Sequence, residues 1–126
     1  GQICKLCNQM VLGGTIAAVG EAFSLARKAG VDPSRVREAL LGGFAQSRVL
    51  EVHGERMLKS NYKPGFRTEL FAKDLRNVAA ALSENDTPAP VSAVVQQLVN
   101  ALVAQGRGQN DYAELGKVIF ELAGLD

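Results

Sequence analysis

Near the start of the chain, in the segment GQICKLCNQ, a lysine stands among two cysteines and two amides. On a helix, residues three and four apart share a face, so Lys5, Asn8, Gln9 and Leu12 form one stripe: a cation, two carboxamides, then hydrocarbon. A polar notch at the end of an apolar rod has a chemical use. Desolvation there favours the neutral amine and brings proton transfer within reach, while the amides can hold a carbonyl or hydroxyl oxygen. A solvated first helical turn would carry the same letters. A second polar island, Lys73 and Asp74, follows the KPGF turn and flanks an apolar stripe, from which both residues could project toward the first helix. An ordinary exposed charge pair has the same pattern.

The other reactive residue types lead nowhere comparable. Cys4 and Cys7 form a C-x-x-C, but zinc would need two more ligands where the chain offers only His53. A dithiol redox site would want a βαβ setting that a helical chain lacks. The cysteines are therefore expected to be small core residues. GRGQND and LGGF have neither the third glycine nor the preceding strand of a dinucleotide fingerprint, so they read as helix ends. His53 has no nearby serine, cysteine or second histidine to form a nucleophile pair and is expected at a helix end on the surface.

The elements that must position these residues are helical throughout. From Gln2 to Ala29 there is no proline and apolar residues occur nearly all round, which predicts a long central helix buried on several sides. Gly30 stops it. Asp32 as cap and Pro33 at the first helical position restart helix, which Gly42 and Gly43 end. Ser47 caps a third helix, expected to break or bend near Gly54, and Pro64 and Gly65 force a turn. Phe71, Leu75, Val78 and Leu82 recur at helical spacing from Thr68 to about Glu84, and Val91, Val94, Val95, Leu98 and Leu102 mark a fifth helix. Asn110 or Asp111 is expected to cap a sixth carrying Leu115, Ile119 and Leu122. No segment alternates with period two, so the predicted class is all-α, roughly six helices built around the first.

At 126 residues and 13.4 kDa the chain has the size of one domain, for which a single hydrophobic core is expected. Its 47% apolar and 21% charged residues are those of a globular protein, and disorder is excluded. Fourteen basic against thirteen acidic residues, interspersed, leave no footprint for nucleic acid or an anionic membrane. The uncharged run from Leu6 to Gly20 is short for a transmembrane span and carries Asn8 and Gln9. Two cysteines without a disulfide framework suit a reducing cytoplasm. A chain that begins with Gly1 inside a helical pattern reads as part of something longer.

Together the motifs resemble a known family. GQICKLCNQ resembles the lysine-bearing signature that opens the C-terminal helical domain of the β-hydroxyacid dehydrogenases, the 3-hydroxyisobutyrate dehydrogenase family. YKPGFRTELFAKDLRNV resembles their second signature, centred on Lys-Asp-Leu. GGFAQSRVLEVHGERML and GQNDYAEL are similar to the branch whose substrate is 2-hydroxy-3-oxopropionate, or tartronate semialdehyde. The resemblance implies a helical domain like the C-terminal domain of 6-phosphogluconate dehydrogenase, in an enzyme whose nucleotide-binding Rossmann domain lies outside this chain. It implies NAD or NADP as cofactor, a small 3-hydroxy or 3-oxo acid as substrate, and a homodimer or homotetramer. Lys5 matches the catalytic lysine, which gives a proton to the carbonyl oxygen in reduction and takes the hydroxyl proton in oxidation. Asn8 and Gln9 match the amide pair beside it; some relatives have Asn where Gln9 stands. Lys73 matches a lysine that reaches the cofactor, Phe66 a residue bordering the substrate, and Asp74 a carboxylate near lysine and substrate. The rival readings are an enzyme of the same family acting on 3-hydroxyisobutyrate or a related acid, and a helical oligomerisation module in which Lys5 is incidental.

Overall fold

The computed structural model describes residues 1–126 as six helices: α1 (Gln2–Lys28), α2 (Pro33–Leu41), α3 (Arg48–Leu58), α4 (Thr68–Glu84), α5 (Pro90–Ala104) and α6 (Glu114–Leu122). The only β pairing is an isolated antiparallel bridge between Arg67 and Asp111. The all-α expectation holds, and so do two of the expected caps. Asp32 accepts the Ser34 N–H at 2.9 Å and Ser47 accepts the Leu50 N–H at 2.9 Å, each satisfying an orphan donor of a first turn. At the other end, α1 closes through Gly30 at φ +78°, with the Val31 N–H donating to the Ala26 carbonyl at 2.8 Å.

Two compact units make up the chain. A 27-residue helix is about 40 Å long, more than one small core needs, and α1 divides its residues between them. The first unit, residues 1–14 and 63–112, contains the start of α1 with α4 and α5. Phe71, Leu75 and Val78 of α4 are buried there with Val95, Val99 and Leu102 of α5, each such side chain stabilising by roughly 1.5–3 kcal/mol. Gly13 lets α1 approach closely: a Cβ at that position would stand 3.0 Å from both Phe71 Cζ and Val95 Cγ1.

The second unit, residues 15–62 and 113–126, packs the rest of α1 with α2, α3 and α6. Ile16, Phe23, Leu50, Met57, Leu115 and Phe120 form its core. Gly20 and Gly116 bring α1 and α6 together, a Cβ on Gly20 standing 3.0 Å from Gly116 Cα. By length and apolar composition α1 is compatible with a membrane span, yet Ile16, Val19, Phe23 and Ala26 are buried inside the protein's own fold, as in a core helix.

Several expectations are corrected. Only the later part of α1 is buried. Its first turns are at most half-buried because close cover begins at Gly13, and Cys4 and Cys7 are exposed free thiols rather than core residues. Helix α3 runs unbroken through Gly54, which is buried because Phe23 Cζ and Leu50 Cδ1 would each lie 3.5 Å from a Cβ there. Close packing, not a bend, accounts for that glycine. His53 consequently lies in the middle of α3, half-buried, not at a helix end. Neither Asn110 nor Asp111 caps α6, whose cap position is Ala113 with no side-chain hydrogen bond.

Candidate functional site

The candidate residues all belong to the first unit. Lys5, Asn8 and Gln9 lie on the first turns of α1, one helical face as the spacing predicts. The Asn8 Nδ2 donates to Gln9 Oε1 at 3.0 Å, and Gln9 Nε2 donates to Asp74 Oδ2 at 2.9 Å. This second bond joins residues 65 apart in sequence and ends on a carboxylate, so it is charge-assisted. It orients Gln9, which in turn leaves the Asn8 amide oriented by its neighbour. The amide pair of α1 and the carboxylate of α4 therefore form one network.

Lys5 is exposed one turn before Gln9, and Lys73 is exposed one residue before Asp74. No side-chain hydrogen bond or ion pair occupies either ammonium, which leaves both cations available to anionic or carbonyl groups. Phe66 is half-buried on the turn before α4, its ring 5.2 Å from that of Tyr112 at an interplanar angle of 65°. The structure thus unites Asn8, Gln9 and Asp74 directly. It keeps Lys5 and Lys73 outside that hydrogen-bonded network.

One further residue, Asp111, emerges. Asp111 is only 1% exposed, and its Oδ1 accepts the N–H groups of Gly65 and Phe66, both at 2.9 Å. The Thr68 N–H and hydroxyl both donate to the Asn110 carbonyl, at 2.8 and 2.9 Å, and the Glu69 N–H donates to the Gly108 carbonyl at 2.9 Å. Main-chain oxygens of the 108–110 segment therefore do for α4 what a side-chain cap would do, and they fix the helix that carries Lys73 and Asp74. Sequence reasoning placed Asp111 at the wrong helix; its one available signal, Asp before a helix, is a local one.

A further cavity lies elsewhere. About 500 Å³ in volume, it belongs to the second unit, beside Phe23, Tyr62, Lys117 and Phe120, and contains none of these candidates. At its rim Arg27 binds Asp126 Oδ1 at 3.0 Å and stacks over Phe120. The Arg27 guanidinium hydrogen bond holds the Asp126 carboxyl below the usual carboxylate range.

With this geometry in view, residues 1–119 match the family described as NAD-binding of NADP-dependent 3-hydroxyisobutyrate dehydrogenase. The chain belongs to this family. Within the dehydrogenase family it is similar to the 2-hydroxy-3-oxopropionate reductase of Escherichia coli (strain K12), 47% identical over 115 residues, covering 91% of this chain and 39% of that protein. Its fold is similar to that of the 3-hydroxyisobutyrate dehydrogenase of Salmonella typhimurium, with TM-score 0.86 and 24% identity, covering 92% of this chain and 41% of the other. The Mycobacterium tuberculosis 3-hydroxyisobutyrate dehydrogenase solved with L-serine gives 0.83 at 27% identity, covering 97% and 43%. The chain spans about two-fifths of the length of each of these relatives.

Proposed function

We propose that this chain is the helical catalytic and oligomerisation domain of an NAD(P)-dependent β-hydroxyacid dehydrogenase that reduces 2-hydroxy-3-oxopropionate. The observation that carries the site is the Gln9–Asp74 hydrogen bond, which joins the two segments bearing the family's signatures. The 47% identity with the E. coli reductase supports the substrate. A Rossmann domain outside this chain would bind most of the nucleotide.

The unengaged ammonium of Lys73 fits an anionic cofactor, and Lys73 would be this chain's contribution to holding NAD or NADP. When bound, that cofactor supplies the hydride in reduction and accepts it in oxidation. Lys5, as ammonium, gives its proton to the substrate's carbonyl oxygen as that oxygen gains charge; in the reverse direction the neutral amine removes the hydroxyl proton. Asn8 and Gln9 orient the substrate beside Lys5, and Asp74 holds Gln9 in position while contributing a carboxylate near the substrate. Phe66 borders the carbon skeleton.

Val91 and Val94 on the uncharged helix α5 remain 65% and 61% exposed, which supports self-association as a homodimer or homotetramer. Two exposed free thiols suit a cytoplasmic location.

The test is steady-state reduction of 2-hydroxy-3-oxopropionate with NADH and NADPH by the intact protein, wild type beside Lys5→Met. With the fold and cofactor binding retained, kcat should fall by roughly 10²–10⁴-fold, the usual contribution of a positioned acid–base group. Equal rates would sink the catalytic reading and leave a helical assembly module. The family description also supports 3-hydroxyisobutyrate as substrate; comparison of kcat/KM for the two acids separates these readings.

A further inference from the structure

We infer that Asp111 and Tyr112, outside both signature segments, are positioning residues that hold Phe66 against the substrate and so govern how tightly the acid is bound. The inference rests on the proposed role of Phe66. That residue follows Pro64 and Gly65 in a turn with no helix of its own, and glycine beside it gives the main chain freedom that would blur the ring's position. The structure removes that freedom from three directions. Asp111 Oδ1 accepts the N–H groups of Gly65 and Phe66, and the Tyr112 N–H donates to the Phe66 carbonyl at 3.0 Å.

The ring is fixed as well as the backbone. Tyr112 meets Phe66 edge-on at 5.2 Å, and on its other side meets Phe71 at 5.2 Å and 70°. Phe71 is fully buried, so Tyr112 ties the Phe66 ring to the immobile core of its unit. A buried carboxylate is a costly way to anchor a turn, because its desolvation must be offset by charge-assisted hydrogen bonds. Here two such bonds fall on the turn that carries the aromatic wall of the proposed substrate site.

The experiment uses the intact protein and three variants, Asp111→Ala, Asp111→Asn and Tyr112→Leu, with Lys5→Met alongside. KM for 2-hydroxy-3-oxopropionate and kcat are measured, NADPH binding is followed by its fluorescence, and thermal unfolding is recorded. Asp111→Ala should raise KM about tenfold, with kcat within about threefold of wild type and NADPH binding unchanged. Asp111→Asn, which keeps an acceptor oxygen but not its charge, should recover most of the loss. Tyr112→Leu keeps the backbone bonds, removes both ring contacts, and should shift KM in the same direction.

A lowered melting temperature and smaller active fraction with KM unchanged would overturn the inference, since a purely structural anchor does just that. Should Asp111→Ala not fold, the other two variants decide by the same criterion. If Lys5→Met is inactive while these variants keep wild-type KM, the inference fails alone. If Lys5→Met is fully active, the catalytic reading fails and the inference with it.

Discussion

Replacing Gly13 by alanine would put a methyl group 3.0 Å from Phe71 Cζ and Val95 Cγ1 and 3.3 Å from Phe71 Cε2. Neither neighbour has room to retreat, because Phe71 and Val95 are buried and Tyr112 packs edge-on against the Phe71 ring. Overpacking of this kind costs about 1–3 kcal/mol, while exchanging glycine for alanine inside a helix gains about 1 kcal/mol. Gly13→Ala should therefore lose roughly 0–2 kcal/mol. The next residue provides the control. A methyl on Gly14 meets only Val91 Cγ1, at 3.4 Å, and Val91 is an exposed side chain free to rotate. Gly14→Ala should keep the gain of about 1 kcal/mol, so two identical substitutions one residue apart should differ by roughly 1–3 kcal/mol. Urea unfolding of the 126-residue chain, followed by far-UV circular dichroism, measures both. Equal stabilisation of the two variants, at unchanged dependence on urea, would refute the claim that the Phe71–Val95 surface is rigid.

Two further expectations concern helix starts. Ser47→Ala removes the acceptor for the Leu50 N–H and should cost about 1 kcal/mol in the same unfolding measurement, whereas Ser47→Asp should cost little; equal losses would show that the cap bond is not the cause. The backbone N–H of Ser34, and then its hydroxyl, hold the Asp32 carboxyl below its ordinary value of 3.8. A carboxyl lowered in the folded state stabilises the fold above that ordinary value, and the contribution is lost as pH falls through the lower folded value. On acidification below about pH 5, wild type should therefore lose more melting temperature than Asp32→Asn, and superimposable acid profiles would exclude a role for this carboxyl.

The helices were legible because their signals are local. Asp32 and Pro33, Ser47, and the Phe71, Leu75 and Val78 stripe specify a start or a buried face within a few residues, and each does so in the structure. The misreadings concern neighbours distant in sequence. Gly54 has the composition of a break but serves as a gap for Phe23, 31 residues earlier, and no window around Gly54 contains that fact. Cys4 and Cys7 sit in an apolar run, yet the run says only that a helix can be buried, not where its cover begins.

The candidate site divides along the same line. Helical periodicity alone places Lys5, Asn8 and Gln9 on one face, and their order on α1 agrees with it. That this face meets Asp74 was implied only by family resemblance, since spacing within α1 cannot choose which carboxylate will accept from Gln9. Asp111 is the sharper case. A carboxylate shortly before a helix is a cap in the local account, where its best acceptor role is toward the following N–H groups. In the folded chain the N–H groups of Gly65 and Phe66 reach Asp111 Oδ1, because the Arg67–Asp111 bridge brings their turn alongside it. Burial then makes partners necessary: a carboxyl group 1% exposed cannot be left without donors, and the Phe66 turn supplies two of them. The residue that looks most like punctuation in the sequence is thus the one whose chemistry is spent on the proposed substrate wall.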